Sequence, residues 1–171
     1  MSADGPLAGK GRDATLGGDA SLQRSFRRSF DALPEIVDFT AKAFAAQHID
    51  PELRDVVDFG LEELFTNMVK YGGGSAKVRI GIERIDGGVE VTLIDYDVDP
   101  FDVTTAPDAD TAAPLEARRP GGLGLHLVRR LVDSIAYDYS AKERQSRTRF
   151  RKLVGPRSGP AAEEGKNNAV D

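Results

Sequence analysis

The order of predicted elements indicates an α+β fold, a two-layer sandwich in which helices cover one face of a mixed, mostly antiparallel sheet. Apolar residues recur at helical spacing in two long segments and one short one. Segments that alternate apolar and polar residues are typical of strands, and glycine-rich turns separate them. The order is therefore strand, two helices, hairpin, long loop, helix and hairpin.

Composition predicts one folded domain in a chain of 171 residues. Residues 1–20 and 155–171 lack periodicity and are predicted to be disordered tails, which leaves 21–154 as the domain. The net charge of −5 argues against direct nucleic-acid binding, and there is no apolar run long enough to cross a membrane. Because cysteine is absent and the first residues do not resemble a signal peptide, we expect a cytoplasmic protein.

The first half of the domain is predicted to be a strand followed by two helices. The strand covers Leu22 to Phe30, with Phe26 and Phe30 on one face. Asp31 is expected to cap the first helix, which ends near Gln47.

The second helix is predicted to start at Asp50 and Pro51, since a capping residue before a proline is a typical helix start. Its apolar stripe comprises Leu53, Val56, Val57, Gly60, Leu61, Leu64 and Met68. Three glycines, at 72–74, are expected to end it with positive φ angles.

The second half begins with a predicted hairpin, formed by strands at 76–83 and 89–94. Residues 97–120 have no periodicity, and a loop of that length is expected to act as a lid. A helix should follow, with Leu125, Val128, Leu131 and Val132 buried. Two strands, at 135–140 and 147–153, complete the domain.

Three patterns are candidates for chemistry. Glu63 and Asn67 lie four residues apart, so a carboxylate and a carboxamide share one face of the second helix. Asp95 ends a strand, where its carboxylate could accept a hydrogen bond from an exocyclic amine such as that of adenine. The glycines at 121, 122 and 124 precede a helix and could cradle a phosphate.

Each pattern has a structural alternative. The helix pair could be a solvated edge, the glycines a tight turn, and the aspartates after Asp95 a solvated loop or a site for a divalent cation. Together, however, the helix pair, the strand-end aspartate, the long loop and the segment PLEARRPGGLGLHLVRRLVD resemble the nucleotide-binding signature of the GHKL ATPase superfamily. The resemblance covers roughly Leu22 to Lys152 and is closest to the RsbW/SpoIIAB-like branch of anti-sigma factors and serine-protein kinases.

This resemblance implies the Bergerat ATP-binding fold and a role for each matching residue. Glu63 would be the general base, and Asn67 the Mg²⁺ ligand beside bound ATP. Asp95 would recognise adenine, assisted by Thr148 in the last strand. The segment that lines the phosphates would comprise Gly122, Leu123, Gly124 and Leu125.

Some positions are less determined by the resemblance. Tyr71 stands where the family often has histidine. Arg118 and Arg119 could reach phosphate oxygens or be solvated, and His126 is expected to face away from the nucleotide. The family usually reads Asp-x-Gly after the strand, whereas this chain has Asp97 at the glycine position; a one-residue shift would make Asp97 the adenine ligand, but strand alternation favours Asp95.

The resemblance also implies an activity and partners. The expected activity is that of a serine/threonine-protein kinase that phosphorylates a STAS-domain anti-anti-sigma protein, with a sigma factor as a second partner and a homodimer left open. The alternative is a nucleotide-binding anti-sigma or adaptor module that acts by sequestration without catalysis, and Asp97 in place of glycine favours it. A histidine-kinase catalytic domain would need a phosphoacceptor histidine on a helical hairpin, which neither His48 nor His126 provides.

Overall fold

A computed structural model describes residues 22–72, 77–105 and 122–155. Within these ranges three α-helices pack against a five-stranded sheet, which confirms the predicted α+β sandwich. The helices are α1 (Leu33–Ala46), α2 (Arg54–Tyr71) and α3 (Gly122–Leu131). The strands are β1 (Leu22–Arg27), β2 (Lys77–Ile85), β3 (Gly88–Tyr96), β4 (Ser134–Ser140) and β5 (Gln145–Leu153).

The sheet has the strand order β1-β2-β3-β5-β4, and every pairing between these described strands is antiparallel. The sheet was predicted to be mixed, and in the described part of the chain it is not. The reason is that β3 and β5, although separated by α3, run in opposite directions beside each other, with Leu93 opposite Thr148.

The core lies between one face of the sheet and the three helices. Alternation along β2 and β3 places Ile80, Ile82, Val91 and Leu93 on the covered face, where all are fully buried. The core side of α2 is formed by the predicted Val57, Gly60, Leu61 and Leu64, together with Phe65, which the predicted stripe omitted. None of the described helices is long and apolar enough to cross a bilayer.

Two apolar residues of the predicted elements are exposed. Phe30 is 50% exposed because β1 ends at Arg27 and the chain turns into a short 3₁₀ helix, Phe30–Ala32. Leu131 is 41% exposed because α3 packs through Leu125, Val128 and Val132, and Leu131 lies roughly a quarter of a turn away from that stripe.

Helix boundaries agree with the sequence at some positions and differ at others. Asp50 caps the turn before α2 as predicted, accepting a hydrogen bond from the Glu52 amide at 3.0 Å. Asp31 does not cap α1: Ser29 caps the preceding 3₁₀ turn, accepting from the Asp31 amide. A hydroxyl immediately before the turn is better placed than a carboxylate inside it.

The C-terminal end of α2 is extended rather than left-handed. Gly72 has a φ of −80°, so the predicted positive φ is wrong at this residue. Glycine is needed there for another reason: a Cβ would lie 2.5 Å from the carbonyl oxygen of Met68 and 2.8 Å from an Arg28 nitrogen. The other two glycines of the run, at 73 and 74, are outside the described residues.

Candidate nucleotide site

A cavity of about 420 Å³ opens between the last turns of α2 and the sheet edge formed by the ends of β3, β4 and β5. We call it the Asp95 pocket. Its apolar lining includes Leu64, Met68, Val98 and Val103, and its polar lining includes Asn67, Asp95, Tyr137, Ser146 and Thr148. A concave, largely apolar site with a few convergent polar groups is the usual form of a small-molecule site.

Three of the residues expected to bind nucleotide line this pocket, although they are distant in the sequence. Asp95 and Thr148 lie on the neighbouring strands β3 and β5. They are 3% and 1% exposed, because the alternation of side chains along each strand directs both to the covered face of the sheet. Asn67 reaches the pocket from the fourth turn of α2 and is also buried. The structure therefore brings these three positions together; their roles remain predictions.

The side-chain amide of Asn67 is held by its own helix. Its Nδ2 donates to the backbone carbonyl of Glu63 at 2.8 Å. This bond fixes the orientation of the amide and leaves its carbonyl oxygen as the group able to accept a hydrogen bond or ligate a cation. The donor chemistry therefore fits a magnesium ion that takes its remaining ligands from phosphates and water.

Glu63 lies one turn earlier on α2, outside the pocket lining and against the first turn of α3. The backbone of Gly124 is so close that a Cβ there would overlap the Glu63 carboxylate. Both residues were predicted to act near the phosphates, and here they are in contact. The positive end of the α3 dipole also favours a carboxylate at this place. We call this arrangement the Glu63–Gly124 contact.

The two leucines of the predicted phosphate segment differ in their exposure to solvent. Leu123 is 48% exposed, whereas Leu125 is 4% exposed and packs in the core. Neither side chain lines the Asp95 pocket, so this segment can meet a phosphate through its backbone amides. Gly122 opens α3, and His126 is half-buried on the same helix. The predicted lid residues 106–120, with Arg118 and Arg119, and Gly121 lie outside the described residues.

Arg28 is the main functional candidate that the sequence did not reveal. Its guanidinium forms an ion pair with Asp95, and the two side chains are 1% and 4% exposed. The same nitrogen donates to the backbone carbonyl of Tyr96 at 2.8 Å. Burial raises the pKa of the Asp95 carboxyl, while the hydrogen bond and the charge of Arg28 oppose that rise. One of three arginines in the predicted first strand gave no signal, because its partner is 67 residues away.

The first residues after β3 are fastened to β4 and to the β4–β5 turn. The Val98 amide donates to the carbonyl of Arg144 at 3.0 Å, and the Tyr139 hydroxyl donates to the Val98 carbonyl at 3.0 Å. The Phe101 amide donates to the Tyr137 hydroxyl at 2.9 Å. Residues 97–105, predicted to begin a lid, therefore form one wall of the pocket.

Asp97 adopts the left-handed conformation that glycine takes most easily. Its φ is +55°, a region that aspartate tolerates better than most residues. Its exposed carboxylate pairs with Arg144 at 2.9 Å. Asp97 lies at the pocket rim, whereas Asp95 lies within the wall, as strand alternation predicted.

Two aromatic rings stand at the pocket mouth. Tyr71 and Phe101 are 60% and 45% exposed, and their ring centroids are 5.9 Å apart in a stacked arrangement. Tyr71 was a position of undetermined role, and here it contributes a flat apolar surface to the cavity. Such a surface can pack against the face of a planar ligand.

Two further titratable groups belong to this wall. Hydrogen bonds from Thr104 lower the pKa of the Asp102 carboxyl below its ordinary value. Burial raises the pKa of the Tyr137 phenol, so this residue stays a neutral hydroxyl. Within the described ranges, no group of three or more His, Asp or Glu side chains is placed to hold a metal ion.

The chain matches the model of the histidine kinase-like ATPase domain over residues 26–152. Among curated proteins, no sequence match was found. Among solved structures, it is similar to the Acinetobacter baumannii histidine kinase AdeS, with 19% sequence identity and a TM-score of 0.40; the similarity covers 78% of this chain and 68% of that one.

Proposed function

Because the chain belongs to the histidine kinase-like ATPase domain family, we propose that it binds ATP and acts as a serine/threonine-protein kinase of the anti-sigma type. Its substrate would be a STAS-domain anti-anti-sigma protein in a partner-switching pathway, with a sigma factor as the alternative partner. Family membership supports ATP binding and kinase-type chemistry; the choice of protein hydroxyl and of partner rests on the sequence resemblance described above.

The observation that carries this proposal is the adjacency of the Asp95 pocket and the Glu63–Gly124 contact. Asn67 belongs to the pocket lining, and Glu63 lies one helical turn away from it. A nucleotide whose adenine is held by Asp95 and Thr148 would therefore have its phosphates along α2, towards the first turn of α3. The proposed site has a recognition end and a phosphate end on a single helix.

Phosphoryl transfer depends mostly on positioning and on neutralising charge. The Asn67 carbonyl oxygen would ligate a magnesium ion shared with the phosphates, which supplies that neutralisation. Backbone amides at the start of α3 would hold phosphate oxygens. Glu63 would orient the incoming hydroxyl and accept its proton, since its carboxylate lies where the two helices meet.

A second candidate keeps the site and omits the reaction. In this alternative the chain is a nucleotide-binding module that sequesters its partner. The observation in its favour is Asp97. This residue stands where the GHKL family usually has glycine, and its ion pair with Arg144 holds the loop. A loop fastened in this way would favour retention of nucleotide over turnover.

The test is a transfer assay with the full chain, Mg-ATP and a STAS-domain protein captured from lysate of the same cells. The kinase proposal predicts phosphate on a serine or threonine of the partner. Transfer should fall by roughly 100-fold or more in Glu63→Gln and stay near wild type in Glu62→Gln, an exposed neighbour on the same helix.

Other outcomes decide between the candidates. Nucleotide-dependent capture of the partner without phosphate transfer would replace the kinase with the sequestering module. Equal transfer by wild type and Glu63→Gln would remove the assigned base. Failure of the wild-type chain to bind ATP would contradict both candidates.

A further inference from the structure

The buried pair of Arg28 and Asp95 lies at the recognition end of the proposed site. Asp95 belongs to the pocket lining, whereas Arg28 does not. Arg28 comes from the turn after β1 and passes the end of α2, where Gly72 leaves room for it. It contacts Asp95 and is not among the residues that line the cavity, so its effect on a ligand would pass through Asp95.

The contacts of Arg28 fix where this carboxylate lies. One guanidinium nitrogen bonds both Asp95 Oδ1 and the carbonyl of Tyr96, so the side chain and the backbone at the end of β3 share an anchor. Charged side chains this deeply buried are stable as pairs, and removing one member leaves the other uncompensated. The anchor therefore controls both the position and the charge of Asp95.

The charge of Asp95 determines which hydrogen-bonding pattern it can recognise. An ionised carboxylate only accepts hydrogen bonds and has enough lone pairs to serve Arg28 and a ligand together. A protonated carboxyl can also donate. Burial favours the protonated form of Asp95 by raising its pKa, and Arg28 opposes that shift. Loss of the positive charge would consequently favour the protonated form, which donates as well as accepts.

Purines differ in the substituent at position 6, which is the group that the Asp95 carboxyl would contact. Adenine carries an exocyclic amine, a donor, whereas 6-oxo purines carry a carbonyl oxygen, an acceptor. A carboxylate attracts the first and repels the second.

We propose that Arg28 is a positioning residue that holds Asp95 as an ionised acceptor and thereby sets the preference of the pocket for 6-amino over 6-oxo purine nucleotides. This inference rests on the proposed nucleotide site, and it assigns base selectivity to a residue that does not touch the base. It requires that selectivity follow the charge at position 28 and not only the packing there.

The experiment compares ATP and ITP, which differ in the 6-amino and 6-oxo groups, by measuring the Kd of each for the full chain at neutral pH. The informative variants are Arg28→Lys and Arg28→Gln: both side chains can donate hydrogen bonds, but only lysine retains the charge. Arg24→Gln is the matched control, because Arg24 lies on β1 and its ion pair with Glu35 is exposed.

Wild type, Arg28→Lys and Arg24→Gln should all prefer ATP. In Arg28→Gln the ratio of the ITP Kd to the ATP Kd should fall by roughly 10-fold or more. An unchanged ratio in folded Arg28→Gln would overturn the inference, even if both affinities fell together. Wild type that bound neither nucleotide would instead refute the proposed function itself.

If Arg28→Gln does not fold, the wild-type chain still provides a test. Carbon-13 NMR of the aspartate carboxyl carbons should show Asp95 ionised at neutral pH, with and without ATP. A protonated Asp95 carboxyl in the wild-type protein would contradict the inference.

Discussion

The two ends of the proposed nucleotide site are built in different ways. The Asp95 pocket is formed by strand ends and a loop that are distant in the sequence, joined by the Arg28 ion pair and by the hydrogen bonds that link this loop to Tyr137 and Tyr139. The Glu63–Gly124 contact joins only two helices, and it depends on the absence of a side chain at one position. The recognition end therefore depends on hydrogen bonds and an ion pair between distant segments, whereas the phosphate end depends on how closely two helices pack.

Substitution at Gly124 should give the largest effect, because it places a side chain directly against the carboxylate of the proposed general base. In Gly124→Ala the new methyl group would overlap the Glu63 carboxylate, so the Glu63 side chain must turn away from its present position. We expect phosphate transfer or ATP hydrolysis to fall by roughly 100-fold because the proposed general base is displaced, while the stability should stay within about 1 kcal/mol of wild type. Enzyme assays and thermal unfolding measure the two.

The matched control for this substitution is Gly155→Ala, where an added Cβ meets nothing within 4 Å. Adenosine, which lacks phosphates, should bind Gly124→Ala nearly as well as wild type if the two ends are independent. Loss of adenosine binding together with ATP binding would show that the ends are not separate.

Tyr137→Phe tests how far the recognition end depends on a single bond. The change removes the acceptor of the Phe101 amide while keeping the ring. We expect a loss of stability of about 1 kcal/mol and an ATP affinity reduced several-fold, because one of several anchors of the wall is lost. Isothermal titration and thermal unfolding provide the measurements.

Tyr139→Phe, which removes the anchor at Val98, should behave similarly, and the double variant should lose more than either single one. If the double variant were as stable as the single variants and bound ATP as tightly, the two bonds would not hold the wall separately.

Asp97 distinguishes backbone conformation from charge at the pocket rim. Asp97→Gly relieves the left-handed backbone but loses an exposed ion pair, so its stability should stay within about 1 kcal/mol of wild type. Asp97→Val should be less stable by about 1–2 kcal/mol, since a β-branched residue tolerates this φ poorly. Chemical denaturation measures both. Equal stability of the two variants would show that the left-handed backbone carries no cost.

The smallest effect concerns pH. The pKa of Asp102 is lower in the folded chain than its ordinary value of 3.8. Its carboxylate therefore stabilises the fold at every pH above about that ordinary pKa. This contribution is lost as pH falls through the lowered pKa. Asp102→Asn should therefore narrow the difference in melting temperature between pH 6 and pH 2.5. A difference as large as that of wild type would remove Asp102 from the acid response.

The fold and part of the site follow from local patterns, and the remainder depends on distant contacts. Alternation along β3 predicted that Asp95 lies on the covered face, and helical spacing predicted that Glu63 and Asn67 lie on one side of α2. Neither pattern carries information about Arg28, whose position is decided by a partner 67 residues away. The exposure of Leu131 was mispredicted for a similar reason, since helix packing decides it. The first strand was predicted to run to Phe30, although the chain turns after Arg27.

The central claim is that the Asp95 pocket and the Glu63–Gly124 contact are two ends of one ATP site. Titration of the isotope-labelled chain with Mg-ATP, followed by amide NMR, tests it most directly. We predict saturable shifts at Asp95, Thr148 and Gly124 with a single Kd, while adenosine shifts the first two alone. Shifts confined to the open face of the sheet, or none at millimolar Mg-ATP, would contradict the claim.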